Sequence, residues 1–289
     1  MQMNPGKSAL LDSVVGDYLD AMPEGDAKVL LGYSHLLHQA WRSTLASLPI
    51  SPTWRTLDVG SGLGLIPFEL AGHLPIKVWG VDIDPRYVDV SRELEQRLRA
   101  ANYFPPGSSV TFDVGDINAL PYGDESFDFV IVREVFLYLP DPEKAASELS
   151  RVSARKGQIL VEETDDGLYI TWPPSPPSLA KLHASIGVLQ NQNGGDRVVG
   201  RKMSTYLRSA NLSITGTKLI SEAHHLAGAQ LDHERNAILL QLASARHRLM
   251  DAGILTGDEF DSAMQEYRTA ELGEQFRIAA RVLVSAQKD

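Results

Sequence analysis

A short glycine-rich stretch constrains this chain more than any other part of its sequence. Residues 56–64 read TLDVGSGLG, an apolar run that passes directly into closely spaced glycines, and LIPFEL follows. The apolar run predicts the end of a buried strand, and LIPFEL predicts the start of a helix. Gly60, Gly62 and Gly64 let the backbone adopt positive φ and approach a ligand without an intervening Cβ, while the helix start presents unpaired N–H groups. The turn therefore predicts a site for a nucleotide-like cofactor.

Two carboxylates strengthen this prediction. Asp58 lies two residues before the first glycine, and Asp82 ends a second predicted strand, 22 residues after Gly60. An acid at the tip of the second strand is placed to accept hydrogen bonds from both hydroxyls of a ribose. The glycine spacing argues against a nicotinamide dehydrogenase, because the third glycine, Gly64, comes one residue earlier than the G-x-G-x-x-G pattern requires.

Four motifs, in the order and spacing of one family, cover the core of the chain. They are DVGSGLG from Asp58, VWGVDID from Val78, VGDI from Val114 and SFDFVIV from Ser126. This set resembles the class I methyltransferases that use S-adenosylmethionine (SAM), in the branch that acts on small molecules. In that family the glycine turn passes the methionine part of SAM and the acid after strand two holds the ribose. An acid in the third motif hydrogen-bonds the adenine amino group, and the fourth strand ends beneath the reactive methyl.

The resemblance implies a set of cofactor-binding residues. In related enzymes N-terminal helices fold over the cofactor, so Tyr33 could reach the SAM carboxylate; the alternative is a tyrosine packed between helices. Asp116 could instead form a turn. The residues implied are Tyr33, Asp58, Gly60, Ser61, Gly62, Gly64, Asp82, Ile83, Asp116, Ile117 and Arg133.

Strand and helix patterns alternate from residue 56 to 166, which is typical of a parallel sheet with right-handed crossovers. We expect an α/β fold with a seven-stranded, mostly parallel Rossmann-like sheet and an antiparallel last strand. N-terminal helices precede the sheet, and a helical lid is inserted between strands six and seven. The predicted strands are 55–59, 77–81, 110–114, 127–132, 157–163, 213–221 and 276–284, and the predicted core helices are 63–72, 86–101 and 142–154.

The expected domain organisation follows from these elements. Residues 1–50 form an N-terminal helical cap, 51–222 the SAM-binding core, 223–274 the lid and 275–289 the closing strand of the core. The segment between the last two strands is longer than a simple connection needs, and it contains two helical patterns. We interpret it as a lid over the cofactor crevice. A dimer interface is the alternative, so a homodimer stays open.

Composition excludes some classes of function. The 289 residues are 43% apolar and carry 27 basic against 37 acidic side chains, a net charge of −10 that disfavours a nucleic-acid substrate. Without cysteine there is no disulfide and no thiolate metal site. No stretch is typical of a signal peptide or of a membrane span, so we expect a cytoplasmic protein.

The catalytic residue is harder to predict. Strand four is expected to end at Val132, so Glu134 and Tyr138 should line the junction between cofactor and acceptor, where either could accept a proton or orient the acceptor. His224, with His225 beside it at the expected hinge of the lid, is the rival because histidine titrates near neutral pH. Structural roles remain the alternative for each, and no metal-ligand pattern accompanies the histidines.

An acidic cluster follows strand five. It could face a cationic amine or a metal, or it could be a solvated loop. Its members are Glu162, Glu163, Asp165 and Asp166.

The resemblance implies in-line methyl transfer to a small-molecule acceptor through oxygen, nitrogen or carbon. The residues after strand four, REVFLY, lack the Asn/Asp-Pro-Pro-aromatic signature of enzymes that methylate nucleic-acid amines, and the paired-glutamate hairpin of protein arginine methyltransferases. The alternative is a protein that binds SAM without transferring its methyl group, as a sensor, a scaffold or a SAM-assisted enzyme.

Overall fold

A computed structural model describes residues 3–23 and 25–289, without the side chains of residues 26, 27, 29, 30 and 33. The predicted cofactor contact of Tyr33 therefore lies outside the described residues. The strands are β1 (Arg55–Val59), β2 (Lys77–Asp82), β3 (Ser109–Val114), β4 (Phe127–Arg133), β5 (Ser153–Thr164), β6 (Ile170–Trp172), β7 (Leu212–Ala227) and β8 (Glu274–Lys288).

One mixed sheet organises the molecule. Its order is β3-β2-β1-β4-β5-β8-β6, and β7 also pairs with β8. The five strands from β1 to β5 are parallel, whereas β8 runs antiparallel to β5, β6 and β7. The prediction of a mostly parallel α/β sheet with an antiparallel last strand is confirmed.

Helices cover both faces of this sheet. They are α1 (Pro5–Ala21), α2 (Asp26–Ser47), α3 (Leu65–His73), α4 (Pro85–Ala100), α5 (Pro142–Val152), α6 (Pro177–Gln192), α7 (Met203–Ser209), α8 (Ala229–Ala243), α9 (Arg246–Asp251) and α10 (Gly257–Thr269). Buried side chains of α1 to α4 pack on one face, and those of α5 and α7 pack on the other. Among the described helices, none is both long and apolar enough to cross a membrane.

The structure adds an eighth strand that the sequence analysis did not predict. β8 continues beyond the end of β5, pairing with β5 over residues 281–287 and with β6 over 276–278. The unpaired backbone groups along the free half of β8 require hydrogen-bond partners, which the three residues of β6 supply.

The two long antiparallel strands also change the interpretation of the inserted segment. β7 extends to Ala227 and β8 begins at Glu274, so the insertion starts at Gly228 and contains three helices, α8 to α10, instead of the two patterns predicted. His224 and His225 consequently lie within β7, opposite Arg277 and Phe276, and not at a hinge. The additional strand length arises because β7 and β8 pair with each other over their whole length.

The inserted helices share a hydrophobic core with α6. Leu179 and Leu182 of α6 pack with Leu242, Phe260 and Met264 of the insertion in one buried cluster. A reciprocal capping box of Thr256 and Glu259 starts α10, near the predicted helix start. Most apolar residues of these helices are therefore buried within the chain, whereas Leu240 of α8 is exposed.

A buried charge network joins the N-terminal helices to α3. Glu69 of α3 is fully buried and accepts hydrogen bonds from Ser8 (2.5 Å), His38 (3.0 Å) and Arg42 (2.9 Å). Arg42 also binds Asp12 through two nitrogens, at 2.7 and 2.8 Å. Burial alone would raise the pKa of Glu69, but the hydrogen bonds from His38 and Ser8 outweigh it and hold the pKa at about 2. Three helices are thus fixed around one carboxylate.

We predict that Glu69→Gln lowers the free energy of unfolding by about 3 kcal/mol, because removing one partner leaves the buried Arg42 charge less compensated. Urea unfolding at pH 7 measures this change. Glu93→Gln is the matched control, since the Glu93–Arg97 pair (2.7 Å) on α4 is solvent-exposed and should contribute less than about 1 kcal/mol. Equal changes in the free energy of unfolding for the two substitutions would contradict the role of Glu69 in holding the three helices together.

Candidate cofactor and acceptor site

The glycine turn after β1 adopts the left-handed conformation that its sequence predicts. Gly60, Gly62 and Gly64 have φ of 72°, 50° and 72°. A Cβ on Gly60 would lie 2.3 Å from Val135, and one on Gly64 would lie 2.5 Å from Phe112, so both positions are closed by packing. A Cβ on Gly62 would meet nothing within 4 Å. The open side of the turn is therefore at Gly62, where a ligand can approach the backbone.

Asp82 stands beside this open side at the end of β2. Its Oδ2 accepts the Gly62 N–H at 2.9 Å, and its Oδ1 accepts the Asp84 N–H at 3.0 Å. Burial raises the pKa of Asp82, against the effect of these backbone donors. Each carboxylate oxygen keeps further acceptor capacity for a hydroxyl. Asp84, the next acidic residue in the sequence, caps α4 by accepting the Arg86 N–H at 2.9 Å and so has a structural role.

The second and third motifs contribute an exposed apolar surface at the same edge. Ile83 is 67% exposed, and Val114, which pairs with Asp82 in the β2–β3 register, is 47% exposed. Ile117 is buried in the hydrophobic core instead. Asp116 accepts hydrogen bonds from the backbone and side-chain nitrogens of Asn118 at 2.8 and 3.0 Å. The sequence analysis did not single out Val114 as a candidate contact for the cofactor. Its position at the end of β3, directly before Gly115, is the sequence signal that could have indicated it.

Ser61 lies in the turn but does not present its hydroxyl to the open side. Its Oγ is buried and has no partner among the described residues, and a Cβ on Gly80 would lie 2.9 Å from it. The Ser61 N–H donates to the Val81 carbonyl at 3.0 Å. Its predicted role in cofactor binding stays a prediction.

Buried charges collect below α2, at the ends of β1, β4 and β5. Asp58 is 2% exposed, and its Oδ2 has no partner among the described residues. Burial raises the pKa of Asp58 to about 8, against the positive charge of Arg133. The Arg133 guanidinium lies 5.3 Å from the centre of the Trp41 ring. The Trp41 N–H donates to Glu162, the register partner of Arg133 on β5.

The turn after β4 is fixed by a second buried acid. Glu163 accepts backbone N–H groups of Val135 (2.8 Å), Phe136 (2.6 Å) and Leu137 (3.3 Å). Burial and the nearby Glu134 charge raise the pKa of Glu163. Glu134 itself has φ of 56°, an uncommon conformation for a non-glycine residue. The sequence analysis placed Glu163 in an acidic cluster without recognising that it organises this turn.

The predicted catalytic residues are only partly brought together. The Glu134 Oε1 accepts a hydrogen bond from Arg281 of β8 at 3.2 Å, and burial raises the pKa of Glu134. Tyr138 is 63% exposed. Its partial removal from water and, to a smaller extent, the negative charge of Glu134 raise the pKa of its hydroxyl. Both residues follow the carboxyl end of β4, and the effect of the Glu134 charge on the pKa of Tyr138 indicates that the two lie near each other.

The histidine candidates lie elsewhere. His224 pairs with Arg277, four positions along the β7–β8 ribbon from the Ile220–Arg281 pair, or about 13 Å at the rise of a strand. Its side chain is 44% exposed and lies 3.6 Å from Glu222, and His225 lies 3.1 Å from Glu274. The structure thus separates both histidines from the Glu134–Arg281 pair.

The four residues of the acidic cluster have separate partners. Glu162 accepts from Trp41, Glu163 holds the turn after β4, and Asp165 is bound by Arg201 at 2.6 Å. Asp166 is bound by Arg197 at 2.9 Å. Within residues 3–23 and 25–289, no group of three or more metal-ligating side chains is arranged to hold a metal ion.

Comparisons with known proteins give the class to which this fold and site belong. The family model described as "Methyltransferase domain" matches residues 57–161. Ajmaline N-methyltransferase of Rauvolfia serpentina is 36% identical over 105 residues, covering 36% of this chain and 34% of that protein. The 2-methyl-6-phytyl-1,4-hydroquinone methyltransferase of a Synechocystis species is 32% identical over 162 residues, covering 54% and 46%.

A solved structure with the same fold is the [4+2]-cyclase SpnF, with a TM-score of 0.52 and 17% identity over 88% of this chain and 80% of that one. The chain spans about a third to a half of the length of the curated relatives that it matches. The matched region contains the glycine turn, Asp82 and the end of β4. Residues 57–161 thus match a methyltransferase domain, and the family resemblance drawn from the four motifs is confirmed.

We expect the raised pKa of Asp58 to make cofactor affinity depend on pH. Asp82 and Arg133 are the charged neighbours that act on this carboxyl, and at pH 6 it is mostly protonated. A cationic group of the ligand favours its ionised form, so binding must release a proton at low pH. We predict that affinity for S-adenosylhomocysteine (SAH) rises on the order of tenfold from pH 6 to pH 8 and then levels off.

Calorimetric titrations with SAH from pH 6 to 8.5 measure this dependence. Asp58→Asn should bind SAH more weakly and with little change across the same range. An affinity of the wild-type protein that stays constant from pH 6 to 8 would contradict the coupling of Asp58 to the ligand.

Proposed function

We propose that this protein is a SAM-dependent methyltransferase that acts on a small molecule. The observation that carries the proposal is the open side of the glycine turn at Gly62, which the Asp82 carboxylate flanks. Asp58, near the end of β1, adds a buried Oδ2 that has no partner among the described residues. These groups suit the ribose and the cationic end of SAM. Ile83 and Val114 supply apolar contacts for the adenine at the same edge.

When bound, SAM supplies a methyl group on a sulfonium, which is a good leaving group. The protein has to align the acceptor with the methyl carbon and exclude water, and such alignment is worth about 7 to 11 kcal/mol in well-oriented model reactions. The turn that follows β4 is suited to this task because Glu163 fixes three of its N–H groups. Glu134 and Tyr138 lie in the same segment, next to the end of β4.

Glu134 is the proposed general base where the acceptor has to lose a proton. Partial burial raises its pKa, which makes the carboxylate a stronger base than an exposed glutamate, while Arg281 keeps it oriented. Tyr138 is the proposed orienting hydroxyl. His224 is the weaker candidate for the general base, because its exposed side chain lies on β7 and away from Glu134.

The net charge of the chain and the names of its relatives both support a small-molecule acceptor. The net charge of −10 opposes a nucleic acid. The names of the two relatives describe methylation of ajmaline and of a hydroquinone, both small organic molecules. Since one name specifies nitrogen and the fold hosts varied chemistry, the acceptor atom is not part of the proposal.

The second candidate function is SAM binding without methyl transfer. The neighbouring [4+2]-cyclase has the same fold and a different reaction in its name, so the fold is compatible with either function. Both functions predict SAH binding at the glycine turn. Only a methyltransferase moves a labelled methyl group to an acceptor.

We predict that purified protein transfers label from [methyl-¹⁴C]SAM to a component of a small-molecule metabolite extract. With that acceptor, Glu134→Gln should slow single-turnover transfer at least tenfold if the acceptor must be deprotonated. Tyr138→Phe and His224→Asn test the other candidates, and Glu222→Gln is a control for loss of an exposed carboxylate. Label that stays on SAM with every extract, despite SAH binding, would favour the second candidate.

The insertion is proposed to act on the acceptor and not on the cofactor. Its helices pack on α6, and most of their apolar residues are buried in this shared cluster, with Leu240 as an exposed exception. This packing supports a lid over the alternative of a dimer interface.

We predict that replacing residues 228–273 with an Asn-Gly turn keeps SAH affinity within about tenfold, because the glycine turn and Asp82 lie in the other half of the sheet. Ala227 and Glu274 are already paired, so a two-residue hairpin turn fits their geometry. Leu179 and Leu182 should be changed to serine in the same variant because the deletion exposes them. Loss of SAH binding from a folded variant would instead mean that these helices build the cofactor site.

A further inference from the structure

The outer edge of β7 is a long strand edge that the rest of the described chain leaves uncovered. β7 pairs with β8 on one side, and no described strand pairs with its other side. Leu212 and Leu226, near the two ends of β7, are buried, whereas Thr217, Lys218 and Leu219 are exposed in succession. Successive residues of a strand point to opposite faces, so neither face of β7 is covered there. The backbone N–H and C=O groups that point away from β8 are therefore open to another strand.

A β-bulge divides this edge into a short irregular part and a long regular part. The β7–β8 register shifts between Ile214 and Gly216, so Thr215 is the extra residue. From Gly216 to Ala227 the pairing with β8 is regular. Proteins protect such edges with bulges or with charged side chains. The bulge protects only the first part of β7, so the charges decide whether a strand can add to the rest.

The charges on the regular part of the edge are complementary to themselves. Lys218 and Glu222 are four residues apart and lie on the same face of β7. Within the part of the chain that the structure describes, Lys218 makes no ion pair, and Glu222 lies 3.6 Å from His224. If two copies of β7 pair antiparallel about a two-fold axis at residue 220, Lys218 of each copy lies directly opposite Glu222 of the other. An axis at Glu222 would instead place two like charges opposite each other, which is destabilising.

The same register also brings apolar side chains together. Ile220 lies opposite its own copy, on the face of the sheet where it packs against the hydrophobic cluster of Leu283. On the other face, Leu219 is 59% exposed and becomes a diagonal neighbour of its copy, at a distance that long side chains bridge. One register thus pairs both charges and shields the exposed leucine.

We propose that this protein forms a homodimer in which the outer edges of two β7 strands pair antiparallel about a two-fold axis at Ile220. This contact joins two eight-stranded sheets into one continuous sheet. Each edge meets its own copy, so the contact closes at two molecules and does not extend into a fibre. The dimer needs no ligand, and its formation is therefore independent of the proposed reaction.

Sedimentation velocity of the full chain without ligand tests the dimer, at about 5 to 300 µM because a contact through one strand edge belongs to the small, weak class of interfaces. We expect a dimer fraction that rises with concentration. Lys218→Glu and Glu222→Lys each place like charges opposite at two points, and each should weaken dimerisation about tenfold or more. The double exchange Lys218→Glu with Glu222→Lys restores opposite charges, and it should return the affinity to within about threefold of wild type. Lys144→Glu, at an exposed lysine of α5, is the matched control.

Disulfide trapping tests the register, and the chain suits it because it has no cysteine. Directly opposite residues of an antiparallel pair have Cα atoms about 4.5 to 5.5 Å apart, which a disulfide spans. With oxidised glutathione as the oxidant, Ile220→Cys should therefore form a covalent dimer. Ala223→Cys is the control, because this exposed residue would lie about 20 Å from its copy along the strands and should remain monomeric.

Three results would overturn the proposal. The first is wild-type protein that stays monomeric over the whole concentration range, which would mean that the bulge and Lys218 protect the edge. The second is a dimer that both single charge reversals leave unchanged, which would place the interface elsewhere. The third is trapping of Ala223→Cys in preference to Ile220→Cys, which would contradict the register. None of these results bears on SAH binding, so the proposed function is tested separately.

Discussion

Parallel register along one edge of the sheet is the constraint on which the rest of the structure depends. It pairs Asp58 with Gly80 and Val59 with both Val81 and Val132, so the turns after β1, β2 and β4 meet at that edge. The bond from the Gly62 N–H to Asp82 joins the first two turns. Residues far apart in the sequence thus form one crevice because their strands end together.

Buried charge is used in two different ways around this crevice. Glu69 and Glu163 are surrounded by donors, and both serve the architecture: Glu69 fixes α1 and α2 to α3, and Glu163 holds the turn after β4. Asp58 differs from them, because its buried Oδ2 has no partner among the described residues. A protein accepts that cost where a ligand repays it. Glu69 and Glu163 therefore have structural roles, and the proposed ligand-facing role of Asp58 agrees with its missing partner.

The features that could be predicted from the sequence are those that depend on short, local patterns of residues. Gly60, Gly62 and Asp82 were predictable because a strand–turn–helix unit fixes their spacing within a few residues. The clamp of Trp41 on Arg133, the turn held by Glu163 and the position of His224 were not, because each depends on contacts between distant segments or on how far β7 and β8 remain paired. Val114 lay in a predicted motif, but its exposure depends on the β2–β3 register.

Hydrogen–deuterium exchange with and without SAH tests the central claim, that the cofactor binds at the carboxyl edge of the parallel strands. We expect SAH to slow exchange in residues 58–64, 82–84, 114–117 and 133–138, and to leave α5 and the exposed end of the β7–β8 ribbon unchanged. Asp82→Ala should lose this protection at the same SAH concentration. Protection confined to the ribbon or to the inserted helices, with the glycine turn exchanging as in the free protein, would contradict the account.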